Sequence, residues 1–64
     1  MTSAEFYTAR LRLGLTQAEL GKIMAMDQRN ISRIEAGKRQ PTLQQAAFMS
    51  LLELAFAAGI IPKQ

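Results

Sequence analysis

The stretch Thr16–Gly37, TQAELGKIMAMDQRNISRIEAG, sets the same signal down twice. Thr16 precedes one short apolar-periodic run and Asp27 precedes another, and both residue types favour the cap position before a helix. Glu19, three residues after Thr16, completes a capping box, and Leu20, Ile23 and Met24 supply the buried side of the first run. In the second run only Ile31 and Ile34 are apolar. Gln28, Arg29, Ser32 and Arg33 therefore point away from the core, where nothing inside a small domain needs them.

The rest of the chain extends the pattern. Thr2 and Glu5 form another capping box, and Phe6, Ala9 and Leu13 make one apolar face of a first helix that Gly14 stops. Gly37 ends the third helix. The polar loop KRQP follows, and Thr42 caps a last helix running from Leu43 to about Ala58, with Gly59 beyond it. No run of β-branched residues alternates with polar ones, so the expected fold is an all-α, compact domain of four or five helices, one domain over residues 1–64.

Sixty-four residues with no cysteine and no histidine leave neither disulfides nor the usual metal ligands to hold a small core together. Association with another copy or another chain is the remaining common device. The same absences, with no phosphate loop and no convergent carboxylate pair, argue against an enzyme, and no cofactor is expected. Absence of cysteine fits a reducing, cytoplasmic setting. The segment MTSAEFYTAR lacks the basic-then-apolar order of a secretory signal. The stretch Ala46–Ile61 is broken by Ser50 and Glu53 and is shorter than the about 20 apolar residues of a membrane span. Net charge is +3, and it is concentrated. Residues 28–39 carry Arg29, Arg33, Lys38 and Arg39 against Glu35 alone, whereas from Pro41 to Pro62 the only charge is Glu53. A basic patch of this kind suits a polyanion or is simply a solvated face.

The last helix carries two apolar faces. Leu43, Ala47, Leu51, Leu54 and Ala58 share one, and Phe48, Leu52, Ala55 and Phe56 share the other. A monomer needs a single stripe. The expectation is that Phe48, Leu52, Ala55, Phe56, Ile60 and Ile61 are left for a partner to cover, the other arrangement being that the N-terminal helices wrap both sides.

Two short helices joined by a tight turn, the second rich in outward polar residues, indicate a helix-turn-helix over about residues 17–36. The segment LRLGLTQAELGKIMAMDQRNISRIEAGKRQP resembles the lambda-repressor-like helix-turn-helix family of phage repressors, Cro proteins and XRE-type regulators. It shares the Thr-Gln opening of helix 2, the Gln-x-x-Ile-Ser-x-Ile-Glu-x-Gly recognition helix and a basic loop ending in proline. The likeness covers about residues 6–42, and the tail after Thr42 matches loosely.

The resemblance implies a sequence-specific regulator of double-stranded DNA, a homodimeric repressor or autorepressor reading an inverted repeat in the major groove. It implies base contacts from Gln28, Arg29, Ser32 and Arg33, and phosphate contacts from Gln17, Lys38 and Arg39. Asn30 either joins the phosphate contacts or faces solvent, and Arg12 is a weaker candidate of the same kind. Arg10 and Glu35 fall where many relatives hold a buried ion pair. Side-chain chemistry agrees: Gln suits adenine N6 and N7, and Arg suits guanine O6 and N7. With no room for a sensing domain, such a reader works by occupancy of a promoter, with no small-molecule ligand. The competing reading is an antitoxin or adaptor that holds a different protein with its apolar last helix.

Two departures from the family pattern stand out. Ala25 occupies a left-handed position usually held by glycine, at a cost of roughly 1–2 kcal/mol. Gly21 occupies a position usually held by alanine, which weakens helix 2 by up to about 1 kcal/mol.

Overall fold

The computed structural model describes residues 1–60. Among them lie four helices and no strand: α1 (Ser3–Leu13), α2 (Gln17–Met24), α3 (Gln28–Glu35) and α4 (Leu43–Ala57). Each begins at a residue whose side chain accepts from the first turn. Thr2, Thr16 and Thr42 accept from the backbone N–H groups of Glu5, Glu19 and Gln45, and those three side chains accept in return from the caps' own N–H groups. Asp27 accepts from the Arg29 N–H at 2.9 Å. Every helix start thus satisfies donors that would otherwise be orphaned. The box at Thr42 uses Gln45, a neutral amide, where those at Thr2 and Thr16 use glutamate.

Gly14 closes α1 in the left-handed conformation, its N–H donating to the Leu11 carbonyl at 3.0 Å. Gly37 turns the chain out of α3 with φ +78°. The turn between α2 and α3 is held by the Met26 N–H donating to the Gly21 carbonyl at 2.8 Å, and Ala25 is left-handed there, with φ +54°.

The core is continuous. Phe6, Ala9 and Leu13 of α1, Leu15 of the following loop, Leu20 of α2, Ile31 and Ile34 of α3, and Met49 and Leu52 of α4 are buried together. Helix α1 packs on both α3 and α4, and α2 packs on α3. Met24, Met26 and Phe56 lean on this core from its rim. Ile23, expected on the buried side of α2, is 40% exposed, because α2 is two turns long and the α3 packing needs only its Leu20 and Gly21 edge.

Helix α4 corrects an expectation. Its inward face is Met49, Leu52 and Phe56, and its outward face is Leu43, Leu51 and Leu54. Leu52 is inside the domain's own core and Phe56 is half-buried against it, so neither is available as the main surface for a partner. Ala55 is half-buried as well. Phe48 and Ile60 remain exposed, and Ile61 lies outside the described residues. The reason is geometric: Met49 and Leu52, three apart, join the core that Phe6, Ala9 and Leu13 of α1 help to form, and that choice turns the leucine stripe to solvent.

Candidate nucleic-acid interface

Helix α3 is held by two residues and presents the rest. Ile31 and Ile34 are wholly buried, and they fix the rotation of an eight-residue helix. That rotation leaves Gln28, Arg29, Ser32 and Arg33 exposed on one side, with Asn30 half-buried at its edge. Lys38 and Arg39 follow in the exposed loop after Gly37.

The charges on this side have few internal partners. Arg29 stands 3.6 Å from the Asp27 carboxylate, with both side chains largely in water, and an exposed pair of this kind contributes little. Among the described residues no carboxylate reaches Arg33, Lys38 or Arg39 within 4 Å. The Arg29 backbone N–H, and after it the charges of Arg29 and Arg33, hold the Asp27 carboxyl below its ordinary value. Asp27 therefore stays ionised as a cap and keeps its negative charge at the positive end of α3.

Behind the exposed side lies a polar anchor. Arg10 of α1 meets Glu35 at the end of α3 side-on, Nε to Oε2 at 2.6 Å and Nη2 to Oε1 at 3.1 Å. Nη1 of Arg10 donates to the Leu15 carbonyl at 2.9 Å, and the Tyr7 ring lies against the guanidinium at 5.4 Å. Gln17, the first residue of α2, donates its Nε2 to Glu35 Oε1 at 2.9 Å. One carboxylate thus joins α1, α2 and α3. The Gln17 side chain thus has an internal partner eighteen residues away in the sequence, besides the phosphate contact expected of it. One amide hydrogen of Gln17 remains free. Arg12 stands 3.7 Å from Glu53 of α4 with its side chain largely in water, a pair as weak as that of Arg29 with Asp27.

Close packing of α2 on α3 depends on Gly21. A Cβ built there would stand 2.7 Å from the Met26 carbonyl oxygen and 3.5 Å from Ile31 Cδ1. Even alanine would force the turn or the start of α3 to shift, so the close packing of the two helices favours glycine at this position.

The described residues hold no group of three or more His, Cys, Asp or Glu side chains placed to bind a metal, and no helix among them is long and apolar enough to cross a membrane. Neither a curated protein nor a solved structure matches the chain. A family model described as helix-turn-helix matches residues 6–50, spanning most of α1, the α2–turn–α3 unit with its exposed polar side, and the first half of α4. With that geometry and that match, the chain belongs to the lambda-repressor-like helix-turn-helix family of DNA-binding regulators.

Proposed function

We propose that the protein is a homodimeric transcriptional repressor that reads an inverted-repeat operator with α3 in the major groove. The observation that carries this reading is the division of α3: Ile31 and Ile34 fully buried, Gln28, Arg29, Ser32 and Arg33 all exposed. A recognition helix enters the groove with its N-terminal residues at the base edges. Gln28 then favours adenine, and Arg29 or Arg33 favours guanine. Lys38, Arg39 and Asn30 take phosphates, which position the domain without reading sequence. The free amide hydrogen of Gln17 takes another, its carboxamide already oriented by Glu35.

One domain offers too few base contacts for high specificity, and two-fold dimers meet half-sites about 34–36 Å apart. A body of 32 × 20 × 17 Å suits two copies lying side by side over one helical turn. Such a dimer works by occupying a promoter, inside the cell where its DNA is, and blocking transcription. The test is selection from a random duplex library at about 150 mM salt, near physiological strength. Recovery of an inverted repeat with centres about 10 base pairs apart supports the reading; binding that is only salt-sensitive and sequence-independent overturns it. The outward leucines of α4 favour a second reading, an adaptor or antitoxin holding another protein. That reading predicts a purified chain that is poorly soluble by itself, or one that stays monomeric even at high concentration.

A further inference from the structure

We infer that the outward face of α4 binds the same face of a second copy, antiparallel, about a two-fold axis passing between Ser50 and Leu51. This rests on the homodimer part of the reading above and adds the surface and its register. Leu43, Leu51 and Leu54 are 87%, 65% and 68% exposed. With Ala47, Ser50 and Ala58, also exposed, they form one stripe at steps of three and four residues, the spacing of neighbours along a helix.

The stripe is complementary to itself in size. In an antiparallel pair centred between Ser50 and Leu51, Leu43 lies opposite the partner's Ala58. Ala47 lies opposite the partner's Leu54, and Ser50 opposite the partner's Leu51. Each large side chain meets a small one, so leucines of one helix enter the gaps left by the other, as close packing demands. A parallel pair would stack leucine on leucine and alanine on alanine, crowding some layers and emptying others. A two-fold contact is isologous, and this stripe satisfies that requirement by its own order of residues.

Charge points to the same occupant. The stripe carries none, and the single ionised residue of α4, Glu53, is turned to Arg12 on α1. The basic residues that give the chain its net +3 lie outside α4, so two like-charged copies approach here without charged groups on the contact. An uncharged stripe also offers nothing by which to select a charged partner.

The stripe is small. Fifteen residues make a strip about 22 Å long and about 10 Å wide, short of the about 800 Å² per partner that a standard stable interface covers. The dimer is therefore a weak one in free solution, completed when both copies sit on one duplex.

The absence of native cysteine allows a direct test without DNA. Residues 43 and 58 of one chain lie about 22 Å apart along the helix, far beyond disulfide reach. Leu43→Cys with Ala58→Cys, oxidised mildly at micromolar concentration, should give a discrete covalent dimer, while neither single variant should. Adding Leu54→Glu to the double variant should abolish the cross-link with helical content unchanged. Cross-linking by Leu43→Cys alone would mean parallel packing, a ladder of higher species would mean head-to-tail contact, and no cross-link would mean no such pairing. Any of the three overturns the proposal. Because no DNA is present, these outcomes are independent of whether α3 reads an operator.

Discussion

Arg10 and Glu35, twenty-five residues apart, form a two-bond ion pair whose side chains are 12% and 6% exposed. Among the described residues it is the only place where α1, the loop after it, α2 and α3 are tied by polar groups at once. Removing one partner leaves the other charge buried without compensation, a loss of about 3–5 kcal/mol in comparable pairs. For a 64-residue domain that is a large share of the total. Glu35→Gln and Arg10→Met should each lower the melting temperature sharply, while the double variant Arg10→Met/Glu35→Leu should recover much of the loss. A double variant no better than either single one would show that the pair itself, and not the avoidance of an orphan charge, holds the helices.

Gly21 and Ala25 exchange the residues that the family usually places at their positions, and the geometry makes opposite forecasts for them. Ala25 is left-handed with φ +54°, which costs an L-residue about 1–2 kcal/mol. Ala25→Gly relieves that and gives back about 0.4–1 kcal/mol through the looser unfolded chain. A net gain of about 0.5–1 kcal/mol should appear in urea melts, the difference of those two terms. Gly21→Ala would ordinarily help a helix by about 1 kcal/mol. Here the new Cβ meets the Met26 carbonyl, and overpacking of this kind costs about 1–3 kcal/mol. It should therefore destabilise. A stabilised Gly21→Ala variant would mean that α3 yields without cost.

Most of the fold was legible because its signals are local. Thr2–Glu5, Thr16–Glu19, Asp27 and Gly14 mark helix ends by chemistry that acts within one turn, and Ile31 with Ile34 left only one way for α3 to face. Helix α4 was legible as a helix but not in rotation, since apolar residues lie on two of its faces and the polar Gln44, Gln45, Ser50 and Glu53 are too scattered to mark one side as outward. The deciding contact, Met49 and Leu52 against α1, is non-local. Gln17 to Glu35 was hidden for the same reason, because a bond between α2 and the end of α3 depends on a crossing that no spacing encodes.

The carboxyls of Asp27 and Glu5 supply the pH dependence that the described structure implies. Both are held below their ordinary values of 3.8 and 4.5, Asp27 first by the Arg29 N–H and Glu5 first by the Thr2 N–H. A carboxyl with a lowered folded pKa contributes stability above its unfolded pKa and loses it as pH falls through the folded one. The starts of α1 and α3 should therefore loosen below about pH 4, the unfolded carboxylate range. Carboxyl-carbon NMR titration should place the Asp27 midpoint below 3.8; a midpoint at or above that value would remove the cap from the account. Asp27→Asn, which caps without titrating, should flatten the contribution of α3.

Arg33 and Lys38, both exposed and both without a carboxylate within 4 Å among the described residues, should fail in different ways on the selected operator. Arg33 projects from α3 and Lys38 from the loop beyond Gly37. If Arg33 reads a guanine, Arg33→Ala should cost about 1–3 kcal/mol of binding and relax the preference at that one base pair. If Lys38 neutralises a phosphate, Lys38→Ala should weaken binding to all duplexes alike, and the slope of log K against log salt should become shallower by about 0.9 per half-site. Titrations by fluorescence anisotropy on the operator and on single-base variants, over a series of salt concentrations, separate the two. Helical spectra of both variants should match the parent, because neither side chain touches the core. An Arg33→Ala variant that loses affinity uniformly and keeps its base preference would move Arg33 from the bases to the backbone, and the task of choosing the sequence would fall to Gln28, Arg29 and Ser32.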